Sequence, residues 1–152
     1  MESTAIVGVG NILMADDGVG VHVARALREM PLPDGVRVLD AGTDPDAAYD
    51  VADATRVIVI DAARGEGAPG TIYRLPEDVA MSGIDAERTC HEIGLLQTLR
   101  DVRRSDNRSQ TLVIGIEPKR IAWGLELSPE VAASLPRVMG IILDELGMDQ
   151  EA

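Results

Sequence analysis

The chain has 152 residues and a formal net charge of -12, from 26 acidic against 14 basic side chains. That length suits one domain able to bury a core, and 45% hydrophobic with 26% charged residues is the balance of a folded protein. The acidity and an aromatic content of 2% exclude a nucleic-acid binder, which needs a basic surface and stacking side chains, and they disfavour anionic membrane surfaces.

Residues 5–9 predict the first strand, which runs into the turn Gly8-Val9-Gly10-Asn11. A helix is expected over 17–30, with Val19, Val23, Leu27 and Met30 on one face, stopped by Pro31 and Pro33. Residues 36–39 read as a second strand and 45–51 as a short helix. The strand over 56–60 carries Val57-Ile58-Val59-Ile60, the most apolar run, and is therefore expected at the centre of the sheet. Residues 64–70 form a Gly- and Pro-containing loop, 71–75 a shorter edge strand and 76–88 a polar loop. Residues 89–104 predict a helix and 112–116 the last strand.

Ser128-Pro129-Glu130 opens a carboxyl-terminal helical region, with serine as N-cap and proline in the first turn. Pro136 is expected to kink that region or split it in two. Strands alternating with helices imply an α/β, three-layer domain with a mostly parallel, twisted sheet of about five strands flanked by helices. One domain over residues 1–152 accounts for the chain, which has no repeat and no linker.

With no phenylalanine, the core must be aliphatic. The amino terminus lacks a basic n-region and a long apolar run, and no stretch approaches the roughly 20 apolar residues of a membrane span. One cysteine, Cys90, leaves no intrachain disulfide. The expectation is a cytoplasmic protein without membrane insertion.

Gly8-Val9-Gly10-Asn11 invites the dinucleotide-binding fingerprint, but Leu13 stands where the third glycine belongs. Asp16 and Asp17 open the next helix, where carboxylates would occupy the N–H donors that a phosphate needs and repel the anion. Nucleotide binding is therefore set aside. Helix capping accounts for one of the two acids and leaves the other surplus. Asp61 ends the apolar third strand, at the carboxyl edge where open α/β sheets bind ligands.

His91 lies in Thr89-Cys90-His91-Glu92, which has the form of a capping box and puts the imidazole in a first helical turn. There the helix dipole favours the neutral, metal-ligating ring. His22, five residues beyond Asp17 on the first helix, is read as structural, and Cys90 as a small apolar residue rather than a nucleophile paired with His91. Asp17, Asp61 and His91 make a mixed O/N set suited to zinc, nickel, manganese or iron, and spacing does not choose among them. Trp123 either lines a groove or packs ahead of the last helix; Lys119 and Arg120 lie nearby.

Ordered blocks along the chain resemble the hydrogenase maturation endopeptidases. They are Gly8-Val9-Gly10-Asn11-Ile12-Leu13 with Asp16-Asp17-Gly18-Val19-Gly20, then Gly42-Thr43, Ile60-Asp61-Ala62 and Pro69-Gly70-Thr71. His91-Glu92-Ile93-Gly94-Leu95, Gly115-Ile116-Glu117-Pro118 and Leu127-Ser128-Pro129-Glu130-Val131 complete the series. Residues 76–88 carry no such motif, and Ala41 stands where relatives often have a first glycine of Gly-Gly-Thr.

The resemblance implies a protease that removes the C-terminal extension of a nickel-iron hydrogenase large-subunit precursor. Asp17, Asp61 and His91 are then both metal-contacting and catalytic, and the nickel is supplied by the substrate rather than held permanently. The alternative is a nickel chaperone or sensor that uses the same residues without cutting.

Overall fold

A computed structural model describes residues 3–77, 90–103 and 110–148. Within them lie strands β1 (Thr4–Val9), β2 (Val36–Gly42), β3 (Arg56–Ala62), β4 (Ile72–Pro76) and β5 (Gln110–Ile116). The helices are α1 (Val19–Arg28), α2 (Ala47–Val51), α3 (Cys90–Arg103) and α4 (Pro129–Glu145). The sheet order is β2-β1-β3-β5-β4, parallel except for the edge strand β4, which runs antiparallel to β5. The expected mostly parallel five-strand sheet flanked by helices is thus observed, with the Val57–Ile60 run in its central strand.

Alternation along the strands sorts side chains by size. Ile6, Ile58, Ile60, Leu112, Ile114 and Ile116 face α1 and α4, which answer with Val19, Val23 and Leu27 and with Val131, Val138 and Ile142. On the opposite face Ala5, Val7, Val9, Val57, Val59 and Val113 meet α2 and α3, where Leu95, Leu96 and Leu99 supply the bulk. Aliphatic side chains alone thus fill both layers, without any aromatic ring. A fully buried Val, Leu or Ile among them contributes about 1.5–3 kcal/mol relative to exposure.

The chain leaves β1 for β2 through α1 on one face, then passes back to β3 through α2 on the other. Such a reversal opens a crevice at the carboxyl ends of the two strands between which it occurs, here β1 and β3. Among the described residues no helix is long and apolar enough to cross a membrane.

Two local expectations are corrected. The first helix does not begin at Asp17: Ala15–Gly18 forms a 3-10 turn and α1 starts at Val19, with Gly18 as a cap that has no side-chain hydrogen bond. Asp16 and Asp17 therefore precede the α-helix instead of capping it. Of the two outcomes expected for Pro136 the split does not occur, since α4 runs from Pro129 to Glu145 as one helix. The carbonyl that loses its partner to proline is that of Ala132, and Ala132 and Pro136 are both exposed, so the freed carbonyl lies on the solvent side of the helix. Val131, Val138 and Ile142 meanwhile hold the opposite face of the helix in the core. Pro76 belongs to β4 rather than to the expected loop; residues 78–88 of that loop, and Thr89 of the capping box, lie outside the described residues.

Candidate active site at the carboxyl edge of the sheet

The turn that follows β1 is built around Gly10, whose φ of 132° suits glycine. A Cβ there would stand 2.0 Å from the Asp17 carbonyl oxygen and 3.4 Å from Asp61 Oδ1. The absence of a side chain is what lets the Asp17 turn close down on the end of β3. Gly20 does the same one turn later, since its Cβ would meet the Ile60 carbonyl oxygen at 2.0 Å and that of Val9 at 2.5 Å. The start of α1 thus rests directly on the ends of β1 and β3, and the two acids that were far apart in sequence converge.

Asp17 and Asp61 are both buried. The Asn11 N–H donates to Asp17 Oδ2 at 3.1 Å, and Asn11 Oδ1 accepts from Leu13 N at 3.0 Å, so Asn11 shapes the turn and orients the carboxylate together. Asp61 Oδ1 accepts the N–H of Ala62 at 2.8 Å. His91 is the second residue of α3, and its side chain lies outside the described residues, as does that of Cys90. The place of that first turn is nonetheless fixed. A Cβ at Gly94 would touch Pro45 Cβ at 3.2 Å, and Pro45 lies in the connection leaving β2 at the carboxyl edge. Fold topology thus brings all three expected residues to one edge of the sheet. Among the described residues no group of three metal-ligating side chains gathers.

His22, read as structural, lies on α1. Its ring is half-buried on α1, and burial, helped by the positive charge of Arg25, lowers its pKa and keeps it neutral. Trp123 resolves the other way: at 76% exposure it is not a packing residue. Leu13 and Leu125 are exposed near it, because Leu13 O accepts the N–H of Gly124 and Met14 bridges to Gly124.

Two further buried acids stand at the same edge. Asp16 accepts hydrogen bonds from the segment 119–128. Burial pushes its carboxyl upward, but the Ser128, Arg120 and Lys119 N–H groups and the Ser128 hydroxyl outweigh that and leave it below the ordinary value. Glu117 takes Gly65 N at 2.7 Å, Gly67 N at 3.2 Å and the Tyr73 hydroxyl at 2.6 Å on one oxygen, folding the loop that follows Asp61. Burial, and then the bond to Glu117, raise the Tyr73 pKa. The sequence carried a sign of Glu117: it ends the apolar run of β5 as Asp61 ends that of β3.

The family model for hydrogenase maturation proteases, HycI, matches residues 21–145. A putative hydrogenase maturation protease of Methanocaldococcus jannaschii is 34% identical over 93% of this chain and 94% of its own length. Among solved structures, the hydrogenase-maturating endopeptidase HybD of Escherichia coli superposes with a TM-score of 0.86 at 28% identity, covering 95% of this chain and 92% of that one. The HybD nickel-iron hydrogenase maturation protease of Thermococcus kodakarensis reaches 0.80 at 30% identity, over 95% and 99%. With this fold and these relatives, the chain belongs to the hydrogenase maturation protease family and is a hydrolase of the endopeptidase class.

Proposed function

We propose that residues 1–152 form one protease domain that removes the C-terminal extension from a nickel-iron hydrogenase large-subunit precursor, reading the nickel already loaded in that precursor. The observation that carries this reading is the convergence of Asp17 and Asp61 on Gly10 at the β1/β3 crevice, with the first turn of α3 and His91 at the same edge. Two carboxylates and an imidazole are donors that nickel accepts. An open set of three donors binds a metal weakly alone and gains affinity when a partner brings the remaining ligands, which makes cleavage conditional on loading. The nickel is thus part of the substrate.

The docked ion then holds the scissile peptide beside the site, where water activated by the ion or by a carboxylate attacks the carbonyl carbon. Exposed Leu13, Trp123 and Leu125 beside the turn offer the precursor an apolar surface. The family relationship supports a cytoplasmic place of action.

The test is cleavage of nickel-loaded and nickel-free precursor by the wild type and by Asp17→Asn, Asp61→Asn and His91→Ala. The wild type should cut the loaded form alone, and each variant should lose that activity. Cleavage of nickel-free precursor would remove the nickel-reading step. Undiminished cleavage by all three variants would sink the site assignment.

A further inference from the structure

Asp16 adjoins Asp17 and has no part in the reading above, yet it is fully buried and is among the most heavily bonded carboxylates described. All its side-chain bonds go to one distant stretch. Lys119 N and Arg120 N each donate to Oδ2 at 2.9 Å, the Ser128 hydroxyl to Oδ2 at 2.8 Å, and Ser128 N to Oδ1 at 2.7 Å. The main chain of the same turn adds three more ties: Asp16 N to Arg120 O at 3.0 Å, Ala15 N to Gly124 O at 2.8 Å, and Gly124 N to Leu13 O at 2.9 Å.

These ties do not serve α1, whose cap is Gly18. They join the turn after β1 to the segment that follows β5. Between them sits Ala15 with φ of 51°, a left-handed conformation that an L-residue keeps only where its surroundings impose it. What is imposed at Ala15 sets the direction in which the next two residues leave, and the second of them is Asp17.

We propose that Asp16 is a positioning residue for peptide hydrolysis: by tying segment 119–128 to the turn after β1, it holds Asp17 at the angle at which Asp17 meets the substrate. This rests on the reading of Asp17 given above. Asp16 itself touches no substrate, because it is fully buried against the segment it holds.

The test is steady-state cleavage of nickel-loaded precursor, at a temperature where circular dichroism shows each variant folded. Asp16→Asn should lower kcat by about 10- to 100-fold with KM within about twofold, the signature of a misplaced reacting group. Ser128→Ala should lower kcat by a smaller factor, and Ser128→Thr, which keeps the hydroxyl, should restore it. The double variant Asp16→Asn/Ser128→Ala should be no worse than Asp16→Asn, since both changes open one tie. Fluorescence anisotropy of Trp123, the sole tryptophan and part of the tied segment, should fall in Asp16→Asn.

An Asp16→Asn protein that melts earlier but turns over at the wild-type kcat would overturn the proposal in favour of a purely structural role. If Asp16→Asn does not fold, the serine pair decides, and wild-type kcat in Ser128→Ala overturns it. Asp17→Asn in the same assay separates the two ideas. Undiminished cleavage there refutes the reading of Asp17, whereas its loss beside unaltered kcat in Asp16→Asn and Ser128→Ala refutes the positioning role alone.

Discussion

At the amino edge of the sheet, the carboxylate of Glu145 at the end of α4 is met by two arginines, Arg56 from the start of β3 and Arg74 from β4. At the carboxyl edge the donors described for Asp16, Asp17, Asp61 and Glu117 are backbone N–H groups and hydroxyls. These four are also all of the buried charged side chains among the described residues. An arginine cancels a carboxylate's charge, whereas a neutral donor solvates the charge and leaves it in place. At one edge a single carboxylate lies between two guanidinium groups, and at the other four buried acids gather where a cation-bearing substrate can be received. Removing a charge should therefore cost activity at one edge and stability at the other.

The largest effect is expected at the carboxyl edge. Asp17→Asn and Asp61→Asn each keep the shape and delete the charge, and cleavage of the nickel-loaded precursor should fall by about 10²- to 10⁴-fold, the range that positioned acid–base and metal-contacting groups supply. Urea midpoints should change little by comparison. A pair of variants that lost stability yet kept full activity would collapse the distinction between the edges.

Glu145→Gln should do the reverse. It strips an exposed contact with Arg74 and a partly buried one with Arg56, and loss of the charged partner of the Arg56 guanidinium costs about 1–3 kcal/mol. Equilibrium urea unfolding reads that loss directly, while kcat and KM for cleavage should stay at the wild-type values.

The same residue gives a pH test with a defined sign. The bond from Arg74 holds the Glu145 carboxyl below its ordinary 4.5, burial opposes that, and Arg56 adds to the lowering. A folded-state pKa below the unfolded one contributes stability that is complete above the unfolded value and lost as pH falls through the folded one. The stability gap between wild type and Glu145→Gln should therefore be constant at neutral pH and close as pH falls below 4.5. A gap that widened in acid would show that the arginines are not what Glu145 answers to.

The amino acid sequence made the scaffold legible because each layer repeats a simple pattern. The Val-Ile alternation of β3 marks a strand buried on both faces, and Val19, Val23 and Leu27 mark the buried face of α1. Asp61 was legible as a charge ending an apolar run. The roles of Asp16 and Glu117 were not, since they depend on partners more than 40 residues away, such as Ser128 and Tyr73. Nothing local distinguishes an aspartate that caps a helix from one that ties down a remote segment. The 3-10 turn at Ala15–Gly18 was hidden for the same reason: its left-handed Ala15 is dictated by Gly124, a tertiary contact. The continuity of α4 through Pro136 depended on which face of the helix carries the freed carbonyl.

The smallest effect sharpens the comparison most. Lys119 offers two different groups at the carboxyl edge: its exposed Nζ pairs with Glu130 at 2.5 Å, and its backbone N–H donates to Asp16. An exposed pair of this kind is screened by water and contributes little. If neutral donors are what hold the buried acids here, Lys119→Ala should leave cleavage intact and the urea midpoint almost unchanged, because the N–H remains. Lys119→Pro removes that N–H and should lower kcat in the manner of Ser128→Ala, although it too deletes the surface cation. A lysine side chain that proved as important as its amide would mean that the carboxyl edge also relies on charge pairing. Comparing cleavage rates and urea midpoints for these two variants therefore measures how far the two edges differ.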